Sequence, residues 1–281
     1  MKILKLIIPA FIIVFISIIA SAPLSGCKKT TTITDTVIVT KHDTTVVIDS
    51  IQDITSGLVA YYNFNNGSLK DSSGYGNHIT FNNATVTADR FGNAGNAYVF
   101  NGSSSYMRVT NNASISPDNI TIHAIVKLNG FYPGPCHVNQ ILGKGSPDNT
   151  NGIYTLRFSD YAANCSDPTD SAHEYFAAGF GNGTVPTTAN AKADTVYAKK
   201  GTWYAITYTY NGLTAKIYIN GVLKGSSTAT VPFTDNTNDL FIGRTEDAGF
   251  PYWFNGVIDE VRIYNRALPQ AAIKALNNLK N

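Results

Sequence analysis

Along most of the chain, apolar and polar residues alternate in short runs broken by turn formers. Leu58, Ala60, Tyr62 and Phe64 make one such run, and Ile120, Ile122, Ala124, Val126 and Leu128 another. Side chains two apart in a strand share a face, so each run predicts a strand with one buried side. Residues 205–210 run into Asn211-Gly212, and residues 215–219 into Asn220-Gly221. An Asn-Gly pair between alternating runs predicts a tight hairpin in which both turn residues take positive φ. Residues 257–264 supply a late strand. Many short strands separated by turns predict an all-β fold, a two-sheet antiparallel sandwich. The stretch 57–281 is long for an immunoglobulin-like unit and suits a jelly roll with extended loops. One short C-terminal helix is predicted over 269–279. Pro269 suits its first position, and Ala272, Ile273, Leu276 and Leu279 share the face that packs on the sandwich.

The amino end breaks this pattern. Lys2 and Lys5 precede an apolar run over residues 6–20, interrupted only by Pro9 and Ser17. That run falls short of the roughly 20 residues that a membrane span needs, and it suits the core of a signal peptide. Leu24-Ser25-Gly26-Cys27 follows and resembles the lipobox of bacterial lipoproteins. The resemblance implies export, removal of residues 1–26 and acylation of Cys27, which becomes the membrane anchor. Each buried methylene of such an anchor contributes about 0.8 kcal/mol. A plain signal peptide or an uncleaved anchor is the alternative. The expected location is the outer membrane, facing either the periplasm or the cell surface. Lys28 and Lys29 follow the cysteine in place of the acidic run that often marks surface export. Residues 27–56 read as the lipidated cysteine and an extended Thr-rich tether, with no glycine or aromatic residue after Cys27. Fully stretched, it would reach roughly 100 Å. Its alternating pattern also allows a strand that pairs with something else.

Loss of the leader removes two of the 21 basic residues and leaves them equal in number to the 19 acidic ones. Such a balance argues against a broad nucleic-acid surface. With Cys27 acylated, Cys136 and Cys165 remain, an even pair in an oxidising compartment. They predict a disulfide between two Pro-, Gly- and Asn-rich loops, contributing about 3–4 kcal/mol by loop closure. Two free thiols are the alternative. Zinc normally takes four ligands, which argues against a site made of these two alone.

Longer motifs narrow the fold. Residues 58–64 (LVAYYNF) are followed by residues 71–78 (DSSGYGNH), then 89–94 (DRFGNA) and 98–102 (YVFNG). Near the end stands FNGVIDEVRIYNRAL over residues 254–268. Together these resemble the laminin-G-like, concanavalin A-like jelly-roll domains of secreted bacterial proteins, across residues 57–279. The resemblance implies two stacked antiparallel sheets and a role in binding glycans, proteins or cell surfaces. It also implies a structural calcium ion held by Asp71 and Asp259, with carbonyls from Asn77 and His78 and a weaker addition from Asn63 or Asn65. Calcium takes six to eight oxygen ligands, and here it would tie the termini together. The alternative is that Asp71 caps its own turn and Asp259 pairs with an arginine such as Arg262.

Catalytic signatures are sparse. Glycoside hydrolases of this broad fold place carboxylates at alternate positions of one strand, so that they meet at one sugar. This chain has only Glu174, Glu246 and Glu260, and Asp259-Glu260 are adjacent, on opposite faces of a strand. His42, His78, His123, His137 and His173 are scattered. Most aromatic residues should fill the core. Two clusters fall in predicted loops: Phe131-Tyr132 and Phe250-Pro251-Tyr252-Trp253. Exposed rings stack on sugar faces while Arg244, Asp247, Asn139 and Arg157 are candidates for the hydroxyls. The site expected for a ligand is therefore Trp253, Tyr252, Phe250, Tyr132, Arg244 and Asp247. The leading expectation is a non-catalytic, membrane-anchored module for carbohydrate or a surface ligand. A structural or adhesion component of an envelope complex is the alternative, and a polysaccharide-active enzyme a third.

Overall fold

The computed structural model describes residues 53–133, 138–145, 154–159, 174–181, 189–230 and 237–279. Its strands in chain order are β1 (Leu58–Tyr62), β2 (Ile79–Asn82), β3 (Thr85–Thr87), β4 (Ala97–Asn101) and β5 (Met107–Val109). There follow β6 (Ile120–Leu128), β7 (Asn139–Lys144), β8 (Tyr154–Ser159), β9 (Tyr175–Phe180) and β10 (Ala189–Tyr197). The last are β11 (Trp203–Tyr210), β12 (Thr214–Ile219), β13 (Val222–Thr228), β14 (Leu240–Ile242) and β15 (Asn255–Tyr264), before helix α1 (Gln270–Asn277). One sheet has eight strands, ordered β13-β12-β11-β6-β15-β4-β3 with β1 also on β15; the other has seven, ordered β10-β9-β8-β7-β14-β5-β2. Every ladder is antiparallel, as the alternating runs predict.

Period-two patterning builds the core. On β6, Ile120, Ile122, Ala124, Val126 and Leu128 turn inward and are fully buried. They join Tyr208 and Ile263 from their own sheet and Leu142, Leu156, Phe158 and Phe176 from the other in one apolar cluster. Burying each large side chain stabilises the fold by about 1.5–3 kcal/mol. The β2–β3 connection passes from one sheet to the other. On the opposite side β13 meets β10 so closely that a Cβ on Gly225 would strike the Lys192 carbonyl, so glycine is required there. The two Asn-Gly sites differ. Asn220 and Gly221 both take positive φ, 51° and 76°, in the expected two-residue hairpin. At the other, Gly212 alone is positive, because the loop has three residues and the Asn211 carboxamide accepts the amides of Leu213 and Thr214.

Helix α1 lies on the outer face of the eight-stranded sheet. Ala272, Ile273 and Leu276 pack there with Ile54, Tyr218, Tyr264 and Leu268. Pro269 is its N-cap in extended backbone rather than its first helical residue. Residues 53–56, read as tether from sequence, pack on the domain. Arg266 donates to the Asp53 and Ser56 carbonyls, and the Tyr264 hydroxyl donates to that of Ile54. This is the entry end of the sandwich. β6 and β15 run antiparallel, with Tyr264 opposite Thr121 and Gly256 opposite Leu128. The far end, where Leu128 and Gly256 lie, is therefore about 23 Å from Tyr264 along the strands. Loops 102–106, 129–133, 198–202 and 243–254 belong to that far end.

Candidate functional site

The residues proposed for calcium are engaged by the chain itself. Asp71 Oδ1 accepts the amides of Tyr61 and Ser73 at 2.9 and 2.8 Å. Its Oδ2 accepts the Ser73 hydroxyl and the Asn77 amide at 2.8 and 3.0 Å. The Asn77 carbonyl accepts the Tyr62 hydroxyl at 2.6 Å, the Asn77 side chain donates to the Val59 carbonyl and Ser114, and His78 Nδ1 accepts the Asp71 amide. Asn63 binds its own turn through the Asn65 amide. Asp259 Oδ2 accepts the Arg90 amide and guanidinium at 3.1 and 2.9 Å. Oxygens already facing N–H and O–H donors do not fit a cation, and among the described residues no group of three or more His, Cys, Asp or Glu is placed to hold one. Asp71 caps its own turn, while the partner of Asp259 is Arg90 and not Arg262. A chelator is accordingly expected to leave the melting temperature unchanged within about 1 °C. Asp71→Ala, which orphans buried donors, should lower stability by about 2 kcal/mol or more with or without calcium. A thermal melt of both chains in EDTA and in calcium checks this.

The adjacent carboxylates of β15 serve packing. The strand carries a bulge between Ile258 and Glu260, and Asp259 sits in it, where β15 changes partner from β4 to β1. Arg90 reaches this bulge and also donates to the Leu279 carbonyl. Burial pushes Asp259 up in pKa even though Arg90 pulls it down. Glu260 stands opposite Ile125 on the outer side of the sheet, with Arg262 and His123. Its Oε1 lies 2.7 Å from Arg262 Nε and 3.9 Å from His123 Nε2. Burial alone would raise Glu260, but the Arg262 guanidinium prevails and holds it below the ordinary value. Both groups are fully buried in ion pairs, which leaves neither placed to donate a proton to a sugar. Cys27, Cys136 and Cys165 lie outside the described residues.

The aromatic residues expected for a ligand divide between two adjoining clusters at the far end. Tyr132 meets Tyr252 edge to face at 6.2 Å, and Tyr252 meets Phe250 at 6.1 Å. Tyr252 itself is buried and Phe250 is exposed. Trp253 belongs to the second cluster, on the outer face of the seven-stranded sheet. The Arg244 guanidinium lies 4.7 Å from the Trp253 ring, 5.3 Å from Tyr106 and 5.6 Å from Phe241. Tyr106 stacks on Phe81 at 4.6 Å. Phe81 and Phe241 share a face because both oppose Arg108 across β5, while their neighbours Leu240, Ile242 and Met107 turn into the core. Arg244 also donates to the carbonyls of Thr245, Glu246 and Asp247, which hold it over the rings. Burial lowers its pKa from the free value. The Asp247 side chain caps Gly249, so it shapes the loop. Phe81, Tyr106 and Phe241 were not singled out from sequence; the available signal was an aromatic at the outward position of a strand whose alternate residues are apolar. Asn139 is fully buried, with its Oδ1 accepting the Asn255 amide, whereas Arg157 lies on β8 opposite Gln140 and Ala177.

A platform of rings gripping one guanidinium, half-buried and at the loop end of a sandwich, suits a ligand with apolar faces and hydroxyl or acidic groups. A search among curated proteins finds no match. Among solved structures the chain is similar to domain 4 of AbnA, an extracellular arabinanase of Geobacillus stearothermophilus, in complex with arabinotriose. The identity is 24% and the TM-score 0.53, over 79% of this chain and 99% of that one. It is also similar to the binding domain of Paraclostridial Mosquitocidal Protein 1, at 16% identity and TM-score 0.61, over 80% of this chain and 53% of that one. A third is botulinum neurotoxin type C, whose cell entry is dependent upon interaction with two ganglioside molecules, at 13% identity and TM-score 0.59, over 80% and 51%. The chain spans about half the length of these toxin chains. At such identities the likeness is one of fold. A family model matches residues 100–274, more than half of the sequence: the chain belongs to the concanavalin A-like lectin/glucanases superfamily.

Proposed function

We propose that this protein is a membrane-anchored, extracytoplasmic module that binds carbohydrate through the far-end platform of Trp253, Tyr106, Phe241 and Phe81 around Arg244. The observation that carries this is the guanidinium held over three rings by backbone carbonyls. Such an arrangement is organised before a ligand arrives, which reduces the entropy lost on binding. Acylation of Cys27 supplies the anchor, and the upstream chain joins the domain at Asp53, at the end opposite the platform. The arabinotriose and ganglioside bound by proteins of similar fold support a sugar as the ligand class. A glycan array probed with the chain from residue 28 onward tests the reading. Trp253→Ala is expected to weaken the best-bound glycan at least about tenfold, since central aromatic anchors dominate binding energy. Its melting temperature should stay near that of the parent, because Trp253 is only half-buried. Equal binding by both chains would remove the platform from the site.

A further inference from the structure

The far end carries a second cluster. Lys127 on β6 stands opposite Trp203 on β11, with its Nζ 5.1 Å from the indole centroid. The turn joining β10 to β11 is fastened to the end of β6 by the Gly201 amide, which donates to the Leu128 carbonyl at 2.8 Å. That brings Lys199 and Lys200 to the same place, and Lys200 Nζ lies 4.4 Å from the Phe131 ring. Lys199 and Lys200 are exposed, while Lys127, Trp203 and Phe131 are half-buried. Among the described residues none of the three lysines forms an ion pair.

The remainder of the chain gives this cluster its meaning. Without the leader, basic and acidic residues are equal in number, and three ammonium groups with no ion pair among the described residues, gathered at one end, make a local positive field. Around Arg244 the charge is instead balanced by Glu246 and Asp247, with Asp239 beside Glu246. Lys127 faces outward from the eight-stranded sheet and Trp253 from the seven-stranded one, and across the end between them Phe131 precedes Tyr132, which meets the buried Tyr252 at 6.2 Å, next to Trp253.

We infer that the carbohydrate is an acidic polysaccharide, bearing carboxylate or sulfate groups, laid along this rim with its sugar faces on the rings and its acid groups at Lys127, Lys199 and Lys200, taking the glycan reading above as its basis. A membrane headgroup fits the lysines less well, because Asp53, where the upstream chain joins, is held at the other end of the sandwich. Ammonium groups seated on rings keep their stems ordered while the charge stays in water, so they meet an anion with little loss of freedom.

The test is binding of the chain from residue 28 onward to polygalacturonate and chondroitin sulfate, with arabinan and dextran as neutral probes and phosphatidylglycerol vesicles as an anionic surface. An acidic polymer is expected to bind, with affinity falling about fivefold or more as salt rises from about 50 to 300 mM. The double variant Lys127→Gln, Lys200→Gln should lose about tenfold on that polymer, and Lys127→Arg, Lys200→Arg should keep most of it. Equal binding to neutral polymers, unchanged in the glutamine variant, overturns the acidic assignment and leaves the glycan reading standing. Binding to vesicles but to no polymer overturns it in favour of a lipid surface. If no polymer of either charge binds and the vesicles do not either, the glycan reading falls with it.

Discussion

Replacing Arg262 with leucine is expected to lower the unfolding free energy by about 3–5 kcal/mol, because it leaves a charge buried without its partner. Glu260 is fully buried, 2.7 Å from Arg262 Nε, and its Oε2 accepts only a long bond from the Tyr61 hydroxyl at 3.4 Å. The same guanidinium lies 4.0 Å from the Tyr61 ring, so leucine also forfeits a cation–π contact. Urea unfolding at neutral pH, followed by tryptophan fluorescence, measures the loss. A deficit under about 1 kcal/mol would mean that water reaches Glu260 in the variant.

Acid should weaken the same region, and the direction follows from which state takes up protons. Burial foremost, with Arg262 and Arg90 adding to it against the pull of Glu260, pushes His123 down from 6.5 to about 4. Between those values the unfolded chain binds a proton that the folded one refuses. The stability that His123 contributes is therefore complete above about pH 6.5 and is lost as pH falls toward 4, a change of about 3 kcal/mol. Glu260, held low by Arg262, contributes stability above its unfolded value of 4.5 and loses it as pH falls through its lowered one. Asp259, pushed up by burial, acts in the opposite sense and offsets part of this at the acid end. Unfolding free energies at pH 7, 5.5 and 4 should decline steadily. His123→Gln, which keeps a hydrogen-bonding group toward Thr207, should flatten the decline above pH 4. A slope unchanged in that variant would assign the acid sensitivity elsewhere.

Much of this molecule was legible in its sequence because strand patterning is local. β6 and β15 announce their buried faces in consecutive residues, and the opening and closing motifs carry the family resemblance. What escaped depends on segments that meet only in the fold. Arg90 and Asp259 are 169 residues apart, and no pattern around either names the other. The nearer Arg262 looked the better partner, but its guanidinium pairs with Glu260 at 2.7 Å. The platform shows the same limit. Trp253 and Arg244 stood out in a loop, whereas Phe81, Tyr106 and Phe241 come from separate short segments that only the register of β2, β5 and β14 sets side by side. Asp71 looked like a calcium ligand for a related reason: a carboxylate in a Ser- and Gly-rich turn has the same local sequence whether it binds a cation or the amides of its own loop.

The antiparallel pairing of β1 with β15 has a mechanical side. The upstream chain enters at Asp53, just before β1, while the loop bearing Trp253 leads directly into the start of β15 at the other end. A load applied between Asp53 and the loop bearing Trp253 would therefore pull β1 and β15 in opposite directions along their shared ladder, from Leu58 opposite Tyr264 to Tyr62 opposite Val261. Ladder hydrogen bonds lie across the strands. Such a load shears them together instead of unzipping them singly, the geometry that suits a module meant to keep hold under tension.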